Sequence, residues 1–71
     1  MDPLVKVEMV EDVLGVDART LAPRVFVKVT YTVGSHGPFF LSTPKDNFTQ
    51  EYVDRETTAR VATLRGIGAI A

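Results

Sequence analysis

The chain has 71 residues, a hydrophobic fraction of 45%, no cysteine and a formal net charge of −1. This length predicts one small domain and excludes a large buried core, so stability is often completed by oligomerisation or docking. The composition excludes wholesale disorder, disulfides and thiolate metal sites, and the balanced charge gives no footprint for nucleic acid.

The first predicted element is a strand over about residues 4–10. Apolar and charged side chains alternate there, which is typical of a half-buried strand. Val5, Val7 and Met9 are therefore expected on one face of the sheet, with the charged side chains on the other.

Residues 11–23 are predicted to form an irregular connection, because Gly15 and Pro23 interrupt any regular pattern. The segment nevertheless carries apolar side chains that need a surface to pack against, notably Val13, Leu14 and Leu21. Two interpretations follow: a loop that lies over its own core, or a segment that contacts a partner.

A β-hairpin is predicted over about residues 24–43, with its turn at Gly34-Ser-His-Gly37. The first strand of the hairpin alternates with a period of two. Its cleaner apolar face consists of Val25, Val27, Val29, Tyr31 and Val33. Phe26 and Phe40 fall on the other face, where exposed aromatic side chains would indicate a protein interface.

A helix is predicted over about residues 50–65. Thr49 is a good N-cap, Phe48 before it can form a hydrophobic staple, and Gly66 is expected to end the helix. The inward stripe, spaced at three and four residues, consists of Val53, Thr57, Val61 and Leu64.

An apolar tail over residues 66–71 follows the helix and carries no charged side chain. Ile67 can close the helix end, whereas Ile70 is harder to place on the same chain. The tail therefore either docks onto a neighbouring molecule, or frays or packs on its own domain.

Together these elements predict an α+β fold: a three-stranded antiparallel β-meander with a C-terminal helix packed on one face. Residues 1–71 are expected to form a single domain.

The chemistry-bearing residues form no recognisable catalytic, cofactor-binding or metal-binding pattern. His36 is the one histidine, and its place in a Gly-Ser-His-Gly turn predicts an exposed turn residue instead of a catalytic base. Apolar stretches are far shorter than the roughly 20 residues that span a bilayer. We therefore expect no enzyme activity, cofactor, nucleic acid or membrane partner, and a cytoplasmic location.

The segment Tyr31-Thr-Val-Gly-Ser-His-Gly-Pro-Phe39, followed by Phe48-Thr49 opening an acidic-to-basic helix, resembles small proteins encoded among the structural genes of tailed bacteriophages. The likeness covers about half of the chain and rests on overall style. It implies a non-catalytic component of the head, neck or tail, assembled in the cytoplasm and carried in the virion.

The sequence thus favours a non-enzymatic interaction or assembly subunit, as a homo-oligomer or part of a larger complex. Its predicted interface residues are Val13, Leu14, Leu21, Phe26, Phe40, Ile67 and Ile70. The alternative is a small monomeric regulatory or inhibitor protein that binds a host protein.

Overall fold

A computed structural model describes residues 2–71 of the chain. It contains strands β1 (Val5–Val16), β2 (Pro23–Val33) and β3 (His36–Pro44), a 3₁₀ turn (Lys45–Asn47) and helix α1 (Gln50–Gly66). The strands form one sheet in the order β1-β2-β3, and both neighbouring pairs are antiparallel. The predicted α+β meander with a C-terminal helix is confirmed.

Strand β1 is much longer than predicted. It continues through residues 11–16, so the prediction of an irregular connection over 11–23 is wrong for that part. Glu11 and Asp12 break the apolar pattern but are tolerated in the strand because both side chains are exposed. The long β2 supplies a partner for every residue from Met9 to Val16.

A β-bulge also changes which face each β1 side chain occupies. The register shifts between Val7 and Met9, so Val7 is paired with Tyr31 and Met9 with Thr30. Directly paired residues in an antiparallel sheet share a face. Met9 therefore lies on the opposite face from Val7, and the prediction that Val5, Val7 and Met9 share one face is wrong.

The connection from β1 to β2 is a tight turn built on Asp17. Its Oδ1 accepts hydrogen bonds from the backbone N–H groups of Arg19 (2.8 Å) and Thr20 (3.3 Å). Leu21 adopts a left-handed conformation with φ of 58°. The predicted irregular segment is therefore only a short turn over residues 17–22, which is held by its own hydrogen bonds.

The core lies between β2 and α1, on the face predicted from the alternation of β2. The buried apolar residues are Val27, Val29, Tyr31, Val33, Val53, Val61 and Leu64. Thr57 is also buried, so all four residues of the predicted helix stripe face the core. The Thr49 hydroxyl accepts a hydrogen bond from the Tyr52 N–H at 3.0 Å, as expected of an N-cap.

The helix ends one residue later than predicted. Gly66 is still helical, and Gly68 takes the left-handed conformation with φ of 76°. The N–H of Gly68 bonds the Arg65 carbonyl (3.1 Å) and the N–H of Ala69 bonds the Leu64 carbonyl (2.9 Å). These two bonds form a Schellman motif, which satisfies carbonyls that the helix end leaves without donors.

The apolar tail packs on its own domain. Ala69 and Ile70 contact the cluster of Tyr31 and its buried neighbours. His36 Nε2 lies 3.0 Å from the Ala69 carbonyl oxygen, and the His36 side chain is half-buried instead of exposed. Self-packing of the tail is therefore observed for Ala69 and Ile70. Ile67, which was expected to close the helix end, is 73% exposed.

Candidate protein interface

Helix α1 leaves most of strand β1 uncovered. The strand order places β1 at an edge of the sheet, and the helix packs on residues of β2 and β3. Within β1, Val5 packs against the core, whereas the residues from Lys6 to Leu14 are exposed. A twelve-residue strand thus projects from the covered part of the sheet.

The helix side of this strand carries an apolar stripe, here called the overhang surface. Its position follows from the register, because Val10 is paired with Val29 and Leu14 with Val25 on the face that the helix covers elsewhere. Leu14 is 74% exposed. The overhang surface consists of Val7, Val10, Leu14 and Val16 of β1 and Val25 of β2. Asp12, paired with Val27, lies on the same face between Val10 and Leu14 and interrupts the stripe.

The opposite side of the sheet, here called the open face, holds Phe26 and Phe40 as predicted. Phe40 is 55% exposed, and the Lys28 ammonium lies 4.6 Å from the centre of its ring. Phe26 covers Gly15, where an added Cβ would lie 2.9 Å from its ring carbons. Lys28 stands between the two phenylalanines along β2, so they do not form one uninterrupted apolar patch.

The remaining predicted interface residues are spread over the molecule. Val13 lies on the open face beside Phe26, its partner in the register, while Leu14 belongs to the overhang surface. Leu21 and Ile67 are exposed, but they lie at opposite ends of the sheet. Ile70 is half-buried against its own core and is not placed with the others.

Sequence reasoning missed most of the overhang surface. Val16 was not predicted as an interface residue because the strand was expected to end at residue 10. Val10 was not predicted because a strand without a bulge places it on the face of Lys6 and Glu8. The even spacing of Val10, Leu14 and Val16, which places them on one face of a continuous strand, is the signal that could have revealed them. Recognising the bulge before Met9 would also have been necessary.

Each carboxylate of β1 is paired with a lysine of the same chain. Glu8 lies 3.9 Å from the Lys6 ammonium and Glu11 lies 3.9 Å from that of Lys28. The Lys45 ammonium donates to Asp12 at 2.7 Å. The edge of the sheet therefore carries no large uncompensated charge, although each exposed pair adds little stability.

An open groove of about 660 Å³ lies beside the β1–β2 turn. Arg24 in this groove bonds Asp17 Oδ2 at 2.7 Å and Asp46 Oδ1 at 3.0 Å. The backbone N–H of Arg19 and the Arg24 guanidinium lower the pKa of Asp17, and Arg24 is the main cause of the lowered pKa of Asp46. Two carboxylates thus engage the guanidinium, which fits a clamp between the turn and the 3₁₀ segment.

Within residues 2–71, no group of three His, Cys, Asp or Glu side chains is placed to hold a metal ion. The helix found in the same range lacks the length and apolar character needed to cross a membrane. Comparisons with protein-family models, with curated proteins and with solved structures give no match.

Proposed function

We propose that this protein is a non-enzymatic interaction subunit that joins an assembly through strand β1. The carrying observation is the uncovered edge strand, which is twelve residues long and exposes apolar side chains on both faces. An exposed strand edge is a template for pairing with another chain. The exposed apolar side chains of the overhang surface beside it favour the same interpretation.

The mechanism is the addition of a strand to the β1 edge. The backbone N–H and C=O groups of the edge bond the incoming strand, while the overhang surface contacts its side chains. Each square ångström of apolar surface removed from water contributes about 25 cal/mol. Part of this gain is offset by the loss of translational and rotational freedom on association.

The likeness of residues 31–39 and 48–49 to tailed-phage structural proteins supports a more specific form of this proposal. The assembly would then be the head, neck or tail of a virion.

Site-specific photo-crosslinking in the producing cell tests the proposal. A photoreactive phenylalanine analogue replaces Leu14, whose side chain points into solvent, so the domain is expected to fold normally. The matched control places the same analogue at Thr58, an exposed residue of α1. We expect a discrete crosslinked product from position 14 and none from position 58.

Mass spectrometry of the product identifies the polypeptide held at β1. If position 14 gives no product, or if both positions give the same diffuse products, strand β1 is not an interface and the proposal is wrong.

A further inference from the structure

Resting on the proposed function, we infer that the strand added to β1 is the β1 strand of a second copy of this chain. The two strands run antiparallel about a two-fold axis, with Val13 opposite its own copy. This interface is isologous, since the same patch is used on both subunits. Two properties of β1 support this inference: the charges along its edge, and the pairing register that these charges permit.

The electrostatics of the edge allow two copies to meet. Each of the three carboxylates of β1 lies within 3.9 Å of the ammonium group of a lysine in the same chain. The whole molecule carries a formal net charge of −1, so long-range repulsion between copies is small. A strongly basic partner would find no unpaired acidic row on this strand.

The first half of β1 is unsuited to pairing. The bulge between Val7 and Met9 disrupts the regular spacing of edge groups, and bulges of this kind blunt strand edges. The second half, from Val10 to Val16, follows a regular register with β2. The pairing segment is therefore expected to lie within these seven residues.

A two-fold axis between antiparallel strands places one residue directly opposite its own copy. Centring the pair on Glu11 or on Asp12 would place two carboxylates face to face, which destabilises a strand pair. Centring it on Val10 would place Glu8 opposite Asp12 and would include the bulge. Among these seven residues the charges leave the centres from Val13 to Val16, and those at Gly15 and Val16 align at most three residues within the strand. Val13 and Leu14 are therefore the two centres to compare.

The Val13 centre pairs more of the strand than the Leu14 centre. It aligns all seven residues from Val10 to Val16, whereas a pair centred on Leu14 aligns five within the strand. Val10 then faces Val16 of the second copy, and Asp12 faces Leu14. No two like charges are opposite each other in this register.

The resulting dimer has one six-stranded sheet with both helices on the same side. The axis is perpendicular to the sheet, so the overhang surfaces of the two copies lie side by side. Each overhang surface covers one side of the other, and the backbone N–H and C=O groups of the two β1 edges hydrogen-bond each other. The arrangement removes the two longest exposed edges at once.

A single engineered cysteine tests both the partner and the register, because the chain has no cysteine of its own. In the Val13→Cys variant, the two thiols are on the axis at a Cα separation of about 4.5–5.5 Å, which a disulfide can bridge. The matched control is Val7→Cys, since Val7 and Val13 are 37% and 40% exposed. In this register residue 7 does not lie opposite residue 7 of the second copy.

We expect the Val13→Cys chain to form a disulfide dimer about a hundredfold faster than the control at ~10 μM protein. Paired thiols experience an effective concentration of about 1 mM, whereas unpaired thiols meet at the bulk concentration. Equal rates for the two variants would overturn the inference.

A second variant removes the dependence on sulfur chemistry. Val13→Lys places two like charges on the axis, and light scattering should report a monomer at concentrations where the unmodified chain is a dimer. Circular dichroism checks that the variant retains its fold. An unmodified chain that scatters as a monomer over about a hundredfold concentration range, or an unaffected Val13→Lys dimer, would refute the inference.

These outcomes separate the inference from the proposed function. A crosslink from position 14 to a different protein, combined with a monomeric purified chain, refutes the second copy but supports the interaction subunit. The absence of any crosslink from position 14 refutes both.

Discussion

Thr57 offers a sharp test of how the core is built. It is 0% exposed, and its hydroxyl donates to the carbonyls of Val53 (2.8 Å) and Asp54 (3.2 Å). It lies one helical turn from Val53 and one from Val61, which belong to two separate apolar clusters. We expect its methyl group to stabilise the fold more than its hydroxyl does.

The perturbation is Thr57→Val, compared with Thr57→Ser. The valine adds a buried methyl group worth about 0.8 kcal/mol. The lost hydrogen bond costs about 0.5 kcal/mol, at the low end of the usual range, because helix carbonyls keep their backbone donors. Thr57→Val should therefore be slightly more stable than the unmodified chain, by roughly 0.3 kcal/mol.

Thr57→Ser keeps the hydroxyl and removes the methyl group. The lost burial and the small cavity cost about 1–1.5 kcal/mol. The two variants should then differ by about 1.5 kcal/mol in the free energy of unfolding, which corresponds to roughly 6–12 °C in Tm for a domain of this size.

Urea unfolding followed by far-UV circular dichroism measures these differences. All three chains must be compared at one protein concentration, since self-association would make the midpoint depend on concentration. If Thr57→Ser were as stable as Thr57→Val, the hydroxyl would be the stabilising group and the reasoning would be wrong.

Two further predictions concern the helix end and the turn clamp. Gly66→Ala should raise the free energy of unfolding by about 0.5–1 kcal/mol, because Gly66 is helical and has open space around it. Gly68→Ala should lower the free energy of unfolding by about 1 kcal/mol, because the φ angle of Gly68 is positive. Thermal melts of the two variants should shift in opposite directions, and a shared direction would contradict the Schellman assignment. Asp17 and Asp46 have a pKa below the ordinary value of 3.8, so their stabilising effect is present above that pH and is lost as the pH falls through the lowered pKa. Arg24→Gln removes the main cause for Asp46 and one cause for Asp17, so Tm should fall less steeply between about pH 5 and pH 2 than in the unmodified chain; an unchanged slope would show that the clamp contributes nothing.

The parts of the fold that were predictable from sequence depend on local periodicity. The spacing of Val53, Thr57, Val61 and Leu64 identifies the buried stripe of the helix, and Thr49 identifies its start, since both follow from the geometry of one helix. The alternation along β2 likewise identifies the core face of the sheet.

The parts that were missed depend on partners distant in the chain. Glu11 and Asp12 looked like the end of a strand, but Lys28 and Lys45 from other segments lie beside them. The bulge before Met9 is visible only in the pairing with β2. The candidate interface was therefore predicted in part, as Val13 and Leu14, while the strand that organises it was not.

The one-sided placement of the helix has a consequence for how the molecule opens. Strand β2 takes part in both ladders and supplies four of the buried core residues, whereas β1 contributes one half-buried valine to the core. Detaching β1 therefore disrupts one ladder and a few ion pairs but exposes little additional apolar core. Local stability should therefore be lower in β1 than in β2. The amide hydrogens of β1 should exchange with solvent through partial opening of the sheet, whereas those of β2 should exchange only when the whole domain unfolds.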